Sequence, residues 1–199
     1  VREMTAQIIA ILLEAAPSSV WDCTFDLLMQ LYNRRCDNVR NGWEIKQGVL
    51  LVWKYLCSLA QVQSKSKFSD CQMSKENRMT VLPTFPLSKQ YTSSQLSKYK
   101  TTFNNIIIQS IRGLSDDSDD VRAVSAQVLL EALKMNENFY TIDIVKECSR
   151  SVWDAILGMK NDVSSCVPDL LALFATILAC SPDCTSTMLK ITSTHVNVG

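Results

Sequence analysis

One histidine, five glycines and five prolines occur in 199 residues, and twenty basic side chains are balanced by twenty acidic ones. Each scarcity excludes something. The lone imidazole, His195, sits in a polar tail beside Thr194 and Asn197, so a Cys/His nucleophilic pair or a histidine-bearing zinc site has little to draw on. So few turn-forming residues disfavour a many-stranded β architecture and favour long helices joined by short connections. Zero net charge removes any global pull towards nucleic acid or an anionic membrane. No unbroken apolar run reaches the roughly 18 residues needed to span a bilayer, and the opening Val1-Arg2-Glu3-Met4 lacks the apolar core of a signal peptide. There is no G-x-x-x-x-G-K-[ST] loop to cradle a nucleotide phosphate. A soluble, all-helical chain is expected, in the cytoplasm or nucleus, without catalytic, cofactor or metal site of its own.

Cysteine is abundant, with eight in the chain. Cys23, Cys57, Cys148, Cys166 and Cys180 lie within or beside apolar helical patterns, where a free thiol is expected to behave as a small buried hydrophobe in a reducing compartment. Cys180-x-x-x-Cys184 offers two metal ligands without a second closely spaced pair, so no metal is assigned.

The strongest signal is self-similarity. Val1-Arg2-Glu3-Met4-Thr5-Ala6-Gln7 and Val121-Arg122-Ala123-Val124-Ser125-Ala126-Gln127 both read V-R-x-x-x-A-Q. Trp43-Glu44-Ile45-Lys46-Gln47-Gly48 keeps the large apolar first residue and the small sixth one, and Asp162-Val163 repeats Asp120-Val121. Trp43 follows Val1 by 42 residues, and Val163 follows Val121 by 42. A spacing of this size belongs to two-helix HEAT or armadillo units. Each motif opens a helix, with Val121, Val124, Val128, Leu129 and Leu133 as the apolar stripe of one of them. The preceding helices are expected over Val20–Tyr32, Thr102–Leu114 and Ile142–Met159. The small sixth residue, Ala6, Gly48 or Ala126, is expected where helices approach closely. Pro168 takes that place in the fourth unit, so its helix should start late or kink. Trp21, Trp43, Trp53 and Trp153 are assigned to core packing.

The expected architecture is an all-α, HEAT-repeat solenoid of about four helix pairs, with residues 1–60 and 99–199 as repeats, the first and last truncated. The chain is accordingly expected to be a piece of something longer. Between them, residues 61–98 contain eight Ser, five Lys and two Pro. Such a composition cannot bury enough apolar surface to fold alone. A flexible, basic, solvated insertion is expected there, with DNA binding or phosphorylation as its functional alternatives.

The densest charge is Ser115-Asp116-Asp117-Ser118-Asp119-Asp120, just before Val121. An Asp there is expected to cap the helix and favour the positive end of its dipole. One carboxylate suffices for that. Asp116, Asp117, Asp119 and Asp120 are therefore the candidate partner-binding residues, presenting surplus negative charge to a basic protein. Arg2 and Arg122, at equivalent motif positions, are expected to bridge to acids of a neighbouring unit.

Taken in order, Trp43-Glu44-Ile45-Lys46-Gln47-Gly48-Val49-Leu50-Leu51-Val52-Trp53-Lys54-Tyr55-Leu56 and then Gly113-Leu114-Ser115-Asp116-Asp117-Ser118-Asp119-Asp120-Val121-Arg122-Ala123-Val124-Ser125-Ala126 resemble the N-terminal HEAT region of the TATA-box-binding-protein-associated, SWI/SNF-like ATPases. The opening Val1-Arg2-Glu3 with Ala6-Gln7, and Ser151-Val152-Trp153-Asp154-Ala155-Ile156-Leu157, fit in order and spacing. The likeness runs from residue 1 to about residue 180, interrupted at 61–98. It departs from the family in the basic insertion and in Val52-Trp53, where a Gly-aliphatic pair is usual. The resemblance implies a nuclear, transcription-regulatory arm that grips the TATA-box-binding protein through loops on one edge. It also implies a parent protein whose C-terminal ATPase, with ATP and magnesium, strips that protein from promoter DNA. A HEAT scaffold of another kind, a nuclear transport receptor or phosphatase scaffold with basic cargo, is the alternative.

Overall fold

The computed structural model describes residues 1–34, 42–69, 93–134, 141–159 and 164–180, with the side chains of 61–69, 93–99 and 180 outside that description. His195, Cys184 and the pair Asp162-Val163 lie outside the described residues. Among those described there are seven helices and no strand: α1 (Arg2–Ala15), α2 (Ser18–Asn33), α3 (Gly42–Ser69), α4 (Ser93–Gly113), α5 (Asp119–Leu133), α6 (Ile142–Leu157) and α7 (Val167–Cys180). α3 therefore continues as helix to Ser69 and α4 begins at Ser93, so both enter the stretch expected to be an insertion. Residues 70–92 lie outside the description.

Local chemistry sets the helix ends. Ala16 precedes Pro17 and is extended, at φ −72° and ψ 152°, because the proline ring disfavours the helical region for the residue before it. The Thr141 hydroxyl accepts from the Ile144 N–H and caps α6. In the turn before α5, Asp116 Oδ1 accepts from the Ser118 N–H at 3.1 Å, closing an Asx turn. α7 starts late, at Val167, with Pro168 in its first turn, where its missing N–H leaves no hydrogen bond unmade.

α1 packs on α3, α3 on α5 and α5 on α7, while α2, α4 and α6 pack on α3, α5 and α7 in turn and α4 touches α6. The result is two layers of helices, an arrangement compatible with an α-solenoid. α3, α5 and α7 run in one direction, since Lys46 meets Asp116 and Ser58 meets Glu131 further along, and Asp119 meets Ser164 while Gln127, further along α5, meets Asp169 of α7.

α5 is enclosed by α3, α4 and α7, so its stripe of Val121, Val124, Val128, Leu129 and Leu133 is buried together with Ser125, Ala126 and Ala132. Trp53 is fully buried and anchors the α2–α3 junction, its ring centroid 5.1 Å from that of Tyr32 and 6.4 Å from that of Phe25. Trp21 is buried as well, whereas Trp43 is half-buried beneath the Arg2 guanidinium and Trp153 is half-buried against Phe174. Cys57, Cys148 and Cys166 are free and buried, and burial pushes the Cys148 thiol up to about 12. Two expectations are corrected. Cys23 is exposed, because it lies away from the Trp21, Phe25, Leu28 and Tyr32 face that α2 buries. Gly48 is not at a close helix approach: Ala6 and Ala126 are buried, but a Cβ built on Gly48 meets nothing within 4 Å. The tight glycine is Gly113.

Candidate protein-binding edge

The starting ends of the odd-numbered helices lie along one edge and are tied to one another by polar side chains. Arg2 Nη2 pairs with Glu44 Oε1 at 2.8 Å, its Nη1 donates to Gln47 Oε1 at 2.8 Å, and the guanidinium covers the Trp43 ring at 5.4 Å. This joins α1 to α3. Lys46 Nζ meets Asp116 Oδ2 at 2.6 Å and joins α3 to the turn before α5, with side-chain exposures of 32% and 15%. The Ser164 hydroxyl donates to Asp119 Oδ2 at 2.7 Å and joins α5 to the segment before α7.

A second row links the first turns of α1 and α7 to the middle of α3 and α5. The Tyr55 hydroxyl donates to Glu3 Oε1 at 2.6 Å, and Lys54 Nζ lies 3.5 Å from the same oxygen. That hydrogen bond, with the Lys54 charge second, holds the Glu3 carboxyl below the usual carboxylate range, while burial and the bond to Glu3 raise the Tyr55 phenol. Lys54 Nζ also donates to Gln127 Oε1 at 2.9 Å, and Gln127 Nε2 donates to Asp169 Oδ2 at 3.1 Å. α1, α3, α5 and α7 are thus linked in one chain of polar contacts. Gln127 and Asp169 are 42 positions apart, the spacing of the sequence motif.

The four candidate carboxylates divide into two pairs. Asp116 is held by Lys46, by the Ser118 N–H and, through its carbonyl, by Arg122 Nη1 at 2.8 Å. Asp119 is paired with Arg122 and accepts from Ser164. Asp117 and Asp120 are exposed. The capping expectation is corrected: the N-cap of α5 is Ser118, which makes no side-chain cap bond, and Asp119 and Asp120 already lie in the first turn. There their charge still favours the positive helix end. Arg2 bridges to an acid of the next packed helix, Glu44 of α3, whereas Arg122 turns back onto Asp119 and Asp116 of its own turn, and it is Asp119 that reaches across to Ser164.

Sequence reasoning did not single out Lys46, Lys54, Gln127 or Asp169, which carry the cross-links. One signal was present: the seventh motif residue is Gln in both clear copies, and both glutamines reach α3, Gln7 donating towards the Tyr55 phenol oxygen and Gln127 accepting from Lys54. Chemically the edge offers paired charges and two exposed carboxylates, an arrangement suited to holding a cationic surface. Among the described residues no helix is long and apolar enough to cross a membrane. No protein-family model matches the chain, and no curated protein is significantly similar to it.

Proposed function

We propose that the chain is a HEAT-repeat protein-binding arm whose partner is the TATA-box-binding protein. In this reading it is a nuclear, non-enzymatic part of a transcription-regulatory, SWI/SNF-like ATPase that removes its partner from promoter DNA. The partner and the ATPase rest on the resemblance set out above. What supports the binding edge is one observation: in a turn pinned by Lys46 and Ser164, Asp117 and Asp120 remain exposed, their carboxylates without a hydrogen bond or ion pair among the described residues. Carboxylates on a pinned turn lose little conformational freedom on binding, which favours association without contributing much to folding.

The test is stopped-flow association of labelled TATA-box-binding protein with the chain and with its Asp117→Asn, Asp120→Asn variant over a salt series. Rim charges act on the on-rate, so the variant should associate more slowly at low salt and depend less steeply on salt. Equal rates at every ionic strength would refute the edge, and no association of the unaltered chain would refute the partner.

A further inference from the structure

The balance of charge over the whole chain conceals a separation along it. α3 starts beside the acidic turn, where Lys46 meets Asp116, so it ends at the opposite edge of the stack. α4 runs into that same turn from Gly113, so its start lies at the opposite edge too. Both helices project there. Ser58 of α3 lies level with Glu131, close to the end of α5 at Leu133. α3 continues past that level over 61–69, roughly 13 Å at the rise of an α-helix. α4 begins at Ser93, well ahead of Thr102, the first described residue that it buries.

We infer that these two helix ends form a site for the phosphate backbone of duplex nucleic acid, carried by Lys65, Lys67, Lys98 and Lys100. Neither 61–69 nor 93–100 holds an acid, and from Gln61 to Ser115 eight basic residues stand against two acidic ones, Asp70 and Glu76. Acids on the neighbouring elements do not cancel this excess. Glu131 is held by Ser58 and Lys134, Glu14 and Asp22 have interactions of their own, and the first half of α6 sets Asp143 and Glu147 against Lys146 and Arg150. The spacing of the lysines selects the ligand. Lys65 and Lys67 are two residues apart, as are Lys98 and Lys100, so the two members of each pair do not share a helix face. A membrane-binding helix gathers its basic residues opposite one apolar face, and an acidic protein surface presents charge only at particular places. Duplex nucleic acid carries one charge about every 1.7 Å of its axis. Lysines spread around two helix ends can each meet a phosphate of such a polyanion, without reading bases. The site lies across the stack from Asp117 and Asp120 and does not rest on their role.

The experiment is fluorescence anisotropy of a labelled duplex of roughly 20 base pairs, titrated with the full chain over a potassium chloride series. Neutralising four phosphates gives a log–log slope of about −3.6, so affinity should fall about 100-fold between about 50 and 200 mM salt. A duplex of shuffled sequence should bind equally well. Lys65→Gln, Lys67→Gln, Lys98→Gln and Lys100→Gln together should weaken binding at least ~10-fold at low salt and remove most of the slope. Circular dichroism should show the helix content kept, since all four positions lie outside the buried core. Lys65→Gln with Lys67→Gln should remove about half of the slope, and Lys146→Gln with Arg150→Gln, at exposed positions of α6, should leave it as it is. No binding of the unaltered chain at low salt, an unchanged slope in the four-lysine variant, or binding to phosphatidylserine vesicles but not to the duplex would each overturn the proposal.

Discussion

Gly113 and Gly48 are both helical glycines, and the structure predicts opposite signs for replacing them with alanine. A Cβ on Gly113, the last residue of α4, would overlap the Ser125 hydroxyl and lie 2.9 Å from the Tyr32 hydroxyl and 3.2 Å from Ser125 Cβ. These neighbours cannot swing away freely. Ser125 is fully buried inside α5, and Tyr32 is held by its hydrogen bond to the Gln109 carbonyl at 3.0 Å. Alanine in a helix gains about 0.5–1 kcal/mol over glycine through the unfolded chain, whereas forcing an extra methyl into a packed core costs about 1–3 kcal/mol. The clash wins, and Gly113→Ala should lose about 1–2 kcal/mol net. At Gly48 nothing lies within 4 Å, so only the gain remains and Gly48→Ala should be stabilised by about 0.5–1 kcal/mol.

Urea unfolding followed by circular dichroism measures both. A double-mutant cycle identifies the cause: Ser125→Ala removes the hydroxyl, which is buried without a hydrogen-bond partner among the described residues. Ser125→Ala alone should therefore be nearly neutral, and in its presence most of the Gly113→Ala loss should disappear. A Gly113→Ala protein as stable as wild type, or a loss that Ser125→Ala leaves untouched, would show that α4 and α5 do not meet here as described.

Burial, with the Asp116 charge second, pushes the Tyr32 phenol up to about 12 from its ordinary value near 10. The folded state thus holds this proton more tightly, so stability present below pH 10 should fall by on the order of 2 kcal/mol between pH 10 and 12. In Tyr32→Phe that component of the alkaline loss should vanish in pH-dependent urea melts, at a cost of about 1 kcal/mol at neutral pH from the missing bond to Gln109. Asp116→Asn keeps the Ser118 hydrogen bond but removes the charge facing Lys46, and should lose about 1 kcal/mol, less in high salt, while Asp117→Asn stays within about 0.5 kcal/mol by the same melts. Leu129→Ala, at a side chain 1% exposed in the centre of α5, should lose about 2–5 kcal/mol; an effect within error would place that residue on the wrong face.

The helices were legible because apolar periodicity reports burial directly. Val20–Tyr32 anticipated α2 closely, Ile142–Met159 anticipated α6, and the stripe through Val121 and Leu133 is the one α5 buries. Gly48 misled because a small residue at a repeating position has two physical meanings, close approach or merely open space, and sequence does not separate them. Gly113 carries the close approach without sharing that motif position. The acidic run misled in a similar way. Counting carboxylates against one cap leaves a surplus, but Lys46 sits 70 positions away and only the fold brings it to Asp116. The charge of Lys46 was visible in the sequence; its partner was not.

Tying the exposed acids to the stack has a consequence for how the edge would act. Asp117 is the neighbour of Asp116, and Asp120 the neighbour of Asp119, so each exposed carboxylate adjoins a residue held by another part of the stack, Lys46 of α3 or Ser164 before α7. If the edge binds as proposed, Lys46 is a positioning residue for Asp117 although it need not touch the partner. Replacing Lys46 by Met would leave Asp116 without its cation and release the turn. Removing that cation also makes the edge one charge more negative, while the loosened turn must be ordered again on binding at an entropic cost. Loss of charge at Asp117 slows the on-rate, whereas Lys46→Met leaves the on-rate no slower, the encounter field being more negative, and raises the off-rate because the bound geometry is less well held. The two kinds of variant thus separate the charge of the edge from its rigidity.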